Sequence, residues 1–104
     1  MKFKLGDSFT ILRTLGTSYP PRKGMRVVYT GCSGPVCGTV VEPEYRDKHL
    51  KIICCAIELD EGEATNKMGT HTCDGRVPSR RGWIVARENW NLLSEIQDYW
   101  DEPI

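Results

Sequence analysis

The run Leu50–Leu59 reads Leu-Lys-Ile-Ile-Cys-Cys-Ala-Ile-Glu-Leu, and it constrains the fold more than any other stretch of the chain. In an extended segment side chains alternate between two faces. Ile53, Cys55, Ile57 and Leu59 then share one face, and Ile52, Cys54 and Ala56 share the other. Its β-branched content favours strand over helix. A strand that is apolar on both faces needs neighbours at its edges and cover on each side, so it lies centrally in a sheet.

The rest of the chain supplies those neighbours. Phe9 and Ile11 alternate with Ser8 and Thr10 in the segment Phe3–Gly16, which reads as a strand closed by glycine. Thr17–Gly24 is a loop with a Pro20-Pro21 breaker. Met25–Tyr29 places Met25, Val27 and Tyr29 on one face, and after the Gly31–Pro35 turn the run Val36–Glu42 resumes strand, giving a hairpin that Pro43 is expected to stop. Glu44–Lys48 reads as a polar loop and Asp60-Glu61-Gly62 as a turn. Ala64–Arg81 is long, irregular and rich in Gly, Thr, Asn and Arg, and loops of this length in small domains tend to carry function. Gly82–Ala86 is a short strand, and Glu88–Leu93 a single helical turn. Ser94–Ile104 reads as an acidic aromatic tail, in which Ser94 and Gln97 have the spacing of a helix capping box.

Short strands separated by Gly and Pro turns point to a mostly β fold, a small antiparallel barrel with a short C-terminal helical turn or tail. A chain of 104 residues is one domain, expected over 1–93 with an N-terminal extension and followed by the 94–104 tail. The 14 basic and 14 acidic side chains balance but are blocked: residues 1–30 carry six basic and one acidic, 67–87 five basic and one acidic, and 88–104 five acidic and none basic. A nucleic-acid protein would ordinarily show a net basic excess. No run approaches the roughly 20 apolar residues of a membrane span. The five cysteines, an odd number, and the lack of an apolar core in Met1–Asp7 make a disulfide framework unexpected and a reducing, cytoplasmic compartment the expectation.

Three strings carry a family likeness. Gly24–Tyr29, then Gly38-Thr39-Val40-Val41, then Gly82-Trp83-Ile84-Val85 leading into Asn89–Leu93 resemble the strand pattern of SH3-like barrels. His71-Thr72-Cys73-Asp74-Gly75 followed by Gly82-Trp83-Ile84-Val85 is similar to a pattern of small bacteriophage-encoded proteins. Ile57–Gly62 is similar to the central strand and turn of CAP-Gly domains, although Ala64–Gly69 stands where that family carries its Gly-Lys-Asn-Asp-Gly groove motif. The first two likenesses cover roughly residues 24–93. They imply an SH3-like barrel working as a phage accessory protein in the host cytoplasm.

Arg76, Arg80 and Arg81, with Arg87, surround Trp83 in sequence. Arginine forks suit carboxylate or phosphate, and an aromatic ring can stack on a base. Tyr99 and Trp100 put two large rings in the acidic tail, where they either fold back or dock on a partner. The expected function is therefore a non-catalytic module that binds a host or phage protein through Arg76, Arg80, Arg81, Trp83, Tyr99 and Trp100. The alternative is a nucleic-acid-binding barrel using the same Arg and Trp patch. A third reading is a zinc-stabilised domain, since Cys32-x4-Cys37 and His71-x-Cys73 supply four ligands of the kind zinc takes; with that exception no cofactor is implied. Cys73 with His71 or His49 is the one nucleophile–base pair conceivable from sequence, and no nucleophile elbow, phosphate loop or paired carboxylates accompany it.

Overall fold

The computed structural model describes residues 9–31, 35–48, 51–60, 77 and 81–98. They form β1 (Phe9–Thr14), β2 (Arg26–Tyr29), β3 (Val36–Arg46), β4 (Ile53–Leu59), β5 (Gly82–Ala86), a 3-10 turn (Arg87–Leu92) and β6 (Leu93–Asp98). The fold is mostly antiparallel β: one six-stranded sheet in the order β1-β6-β2-β3-β4-β5. Among the described residues β1 and β5 are its two edges, and no helix is long and apolar enough to cross a membrane.

The two-faced strand sits where its pattern requires. β4 pairs with β3 on one side and β5 on the other, with Ile57 opposite Val40 and Trp83. Cys55, Ile57 and Leu59 enter the largest core cluster, while Cys54 and Ala56 enter a second one with Tyr45, Ile84 and Val77. A third, small cluster joins Val28, Cys37 and Ile96, with Phe9 packed against it. The largest cluster draws on every strand but β1 and includes both Val85 of β5 and Leu93 of β6. These strands are not neighbours in the sheet order, so the sheet curls to bring them onto one core.

Local chemistry sets the connections. Gly24 has φ of 85°, a value that L-residues with a Cβ rarely adopt, and it closes the turn in which Met25 N–H donates to the Arg22 carbonyl at 3.0 Å. The 3-10 turn carries β5 into β6 and buries Trp90, whose Nε1–H donates to the Val85 carbonyl at 3.1 Å.

Two sequence expectations are corrected. Pro43 does not end its strand: β3 runs on to Arg46, through the stretch read as a polar loop. The register steps from Glu42 opposite Ala56 to Tyr45 opposite Cys54, so Pro43 and Glu44 sit in an irregularity where a missing N–H leaves no ladder bond unmade. Residues 94–98, read as tail with a helix cap at Ser94, belong to β6, an inner strand paired with both β1 and β2. Leu93 and Ile96 are three apart, which on a helix is one face. On this strand they point to opposite faces and serve two different clusters.

Candidate functional site

β2 presents Arg26 on the face opposite the largest core, and the guanidinium is surrounded by acceptors. Nη1 and Nη2 donate to Asp60 Oδ1 and Oδ2 at 2.8 and 2.7 Å, Nε and Nη2 donate to Asp98 Oδ2 and Oδ1 at 2.7 and 3.1 Å, and Nη1 reaches Thr39 Oγ1 at 3.0 Å. The hydrogen bonds that Arg26 donates to Asp60 push its pKa well above its ordinary value; burial opposes this, and Asp98 adds to it. Asp60 follows β4, and Asp98 ends β6. One side chain thus ties the residue that follows β4 to the last residue of β6.

Arg81 is occupied in the same way. Its Nη2 lies 3.2 Å from Glu58 Oε2, and its Nη1 donates to the Asp60 carbonyl at 3.1 Å. Trp83 is 7% exposed and packs in the largest cluster, with its ring centroid 5.7 Å from that of Tyr29. So placed, the indole has no open face for a base to stack on. Its Nε1–H is buried with no hydrogen-bond partner among the described residues. Arg87 is exposed and 3.7 Å from Glu44. Cys37 is a buried free thiol, pushed up to about 11 chiefly by burial, with Asp60 adding to the shift and Arg26 opposing it. The structure therefore brings Cys37 and Arg81 to the same neighbourhood of Asp60, whose N–H donates to the Cys37 carbonyl at 3.0 Å. Arg76, Arg80, Tyr99 and Trp100 lie outside the described residues, as do Cys32, His71 and Cys73 of the zinc reading.

The surface that sequence reasoning missed is β1. Among the described strands β6 is its sheet neighbour, and its residues 11–14 are all exposed. Ile11 and Leu12, at 55% and 46% exposure, are the large apolar side chains that the described surface leaves open. Their adjacency has a local cause: Ile11 pairs with Ile96 and Arg13 with Glu95, so Leu12 is an extra residue in a bulge. Bulges re-aim side chains that a regular strand would alternate.

Beside Leu12 stands an aromatic and cationic group. The Arg13 guanidinium lies 4.5 Å from the Tyr19 ring centroid and that of Arg22 lies 5.2 Å from it. Tyr19 O–H donates to Glu95 Oε1 at 2.8 Å, and Arg22 Nη2 donates to the Tyr19 oxygen at 3.2 Å. Arg13 Nε is 3.7 Å from the same Glu95 oxygen. One ring and one carboxylate thus hold two arginines at the surface. The available signal in the sequence is charge: residues 9–30 contain Arg13, Arg22, Lys23 and Arg26 and no acidic residue. No protein-family model, curated protein or solved structure matches the chain.

Proposed function

We propose that this chain is a non-catalytic binding module built on an SH3-like barrel, and that it engages a protein partner through the edge strand β1. The barrel reading is supported by the strand run β6-β2-β3-β4-β5, by the single 3-10 turn between β5 and β6, and by the core those two strands share. With the sequence likeness to bacteriophage proteins, the partner is a host or phage protein met in the host cytoplasm.

The observation that carries the binding role is the paired exposure of Ile11 and Leu12 on a strand that lies, among the described residues, at the edge of the sheet. Sheet edges template pairing with other chains, and folds commonly blunt them. Exposed apolar groups at such an edge fit a protein partner better than a nucleic acid. Arg26 and Arg81 are bound to carboxylates within the fold, which further favours protein over phosphate.

The test is affinity capture from a lysate of the native host with tagged wild-type protein and with an Ile11→Asp, Leu12→Asp variant, each with and without nuclease. One protein retained at near-equal stoichiometry, unaffected by nuclease and lost with the variant, is the expected result. Enrichment that disappears with nuclease assigns the binding to nucleic acid instead. Equal retention by the variant removes β1 from the interface.

A further inference from the structure

We infer that the turn end of the β3–β4 hairpin is a contact for the phosphate backbone of nucleic acid, made by Arg46 and Lys51. This surface is a different one from β1, which is not a sheet neighbour of β3 or β4, and it does not depend on the reading of β1.

Three observations converge on this contact. The first is where the acid goes. Asp47 is the one acidic residue in the stretch 46–51. Its N–H donates to the Ile52 carbonyl at 2.9 Å, and its carbonyl accepts from the Lys51 N–H at 2.7 Å. Its side chain is fully buried and accepts from Tyr45 O–H at 3.3 Å, whereas Arg46, Lys48 and Lys51 are exposed. The turn thus withdraws its negative charge and shows its positive charge. The second is the placement of Arg46, whose Nη1 donates to the Lys51 carbonyl at 2.7 Å. That bond sets the guanidinium beside Lys51, and one of five N–H donors is spent on it. The third is the backbone of Lys51, with φ of 60°. Glycine takes this left-handed region freely and residues with a Cβ take it rarely. The position therefore carries an ammonium against its backbone preference, and such positions gather where a side chain has work at a ligand.

The same turn fits phosphate better than an acidic protein surface. Protein interfaces centre on an apolar patch and are poor in lysine, whereas nucleic-acid interfaces are polar and strongly positive. Among the described residues the exposed large apolar side chains are Ile11 and Leu12, both on β1, and none lies at this turn. Arg13, Arg26, Arg81 and Arg87 each stand beside a carboxylate, but Arg46 and Lys51 stand in no ion pair with a described one. An arginine fork next to an ammonium suits successive phosphate oxygens. The chain has no net charge, so the contact is local and its salt dependence small.

The experiment uses the full chain labelled for amide and arginine side-chain NMR. A short mixed-sequence DNA duplex and a polyglutamate peptide of equal charge are titrated in at low salt. The expected result is movement of the Arg46, Asp47, Lys51 and Ile52 amides and of the Arg46 Nε–H signal with the duplex and not with the peptide. The logarithm of affinity should fall against that of salt with a slope of about −2, from about 0.9 for each of two phosphate contacts. Arg46→Gln and Lys51→Gly should each reduce that slope by about 1. Lys51→Gly should do so with no loss in the urea midpoint, since glycine accepts this φ, and an unchanged spectrum elsewhere checks that Arg46→Gln folds. Equal response to both probes, response away from this turn, or no response overturns the phosphate contact. An unchanged slope in both variants overturns it as well, and a lowered midpoint in Lys51→Gly overturns the part given to Lys51. The Ile11→Asp, Leu12→Asp variant should bind the duplex as the wild type does, so a failure at β1 and a failure at this turn are told apart.

Discussion

Arg26 and Asp98 are 72 positions apart in the chain and share two hydrogen bonds, Nε to Oδ2 at 2.7 Å and Nη2 to Oδ1 at 3.1 Å. The Asp98 side chain is 5% exposed, and Arg26 supplies the positive charge beside it. Asp60 takes the other edge of the same guanidinium. A planar group with five donors can serve two carboxylates and a hydroxyl at once, and an ammonium cannot reproduce that geometry.

Replacing Arg26 by Met leaves Asp98 buried and unpaired. Removing one partner of a buried pair costs about 3–5 kcal/mol, and the partial exposure of this one places the expected loss nearer about 2–4 kcal/mol. Urea unfolding measures it. Arg26→Lys should recover less than half of that loss, and full recovery would show that charge alone, without the fork, suffices.

Cys37 makes stability depend on pH on the alkaline side. Its folded pKa is raised to about 11, whereas an unfolded thiol titrates near about 8.5. Above the unfolded value the unfolded state loses a proton that the folded state keeps. The Cys37 contribution is therefore complete below that value, declines as pH rises toward the folded value, and is constant beyond it, for a total on the order of 2–3 kcal/mol. Denaturant unfolding of wild type and Cys37→Ala at stepped pH isolates the effect. The difference between the two proteins should shrink through this window, and a constant difference would show that the thiol does not titrate as described.

Val77 is fully buried in the cluster of Tyr45, Cys54, Ala56 and Ile84. It ties a point between β4 and β5 to the sheet face opposite the largest core. Val77→Ala should destabilise the fold by about 1–3 kcal/mol through lost burial and the residual cavity. Thermal unfolding would register this as a lower Tm, and an unchanged Tm would mean the site collapses without penalty or contributes little.

Gly38 lies between Val27 of β2 and Leu59 of β4 in the sheet. A Cβ there would come within 2.6 Å of both the Glu58 carbonyl oxygen and Ile57 Cγ2. The first of these is backbone and cannot swing away, so Gly38→Ala must spread β3 from β4. Overpacking of this kind costs about 1–3 kcal/mol, readable in denaturant unfolding; a neutral outcome would require the strands to part without losing their ladder.

Where a residue's fate depended on its near neighbours, the sequence was enough. Cys54 and Cys55 separate into two cores because adjacent strand residues must face apart, and the single helical turn expected over Glu88–Leu93 is present as the 3-10 turn Arg87–Leu92. Where the pattern was shared by two structures, it misled. The spacing of Ser94 and Gln97 is that of a helix capping box, yet both residues lie in a strand, and only the pairing of β6 with β1 and β2 shows it. Pro43 was read as a stop because a local rule says nothing about whether the partner strand needs its N–H.

A mostly β chain with a central two-faced strand is legible in the residue order, since alternation and turn chemistry act over a few residues. Three features come from long-range contacts: β6 is an inner strand, β1 lies at the edge among the described strands with Ile11 and Leu12 open, and Arg26 is held by Asp60 and Asp98. The tertiary structure also gathers Arg13 and Arg22 onto Tyr19. Each of these follows from contacts between segments distant in the chain. Which strand ends at an edge, and which arginine meets a carboxylate, is set by how the strands pair and pack on their core rather than by any local run of residues.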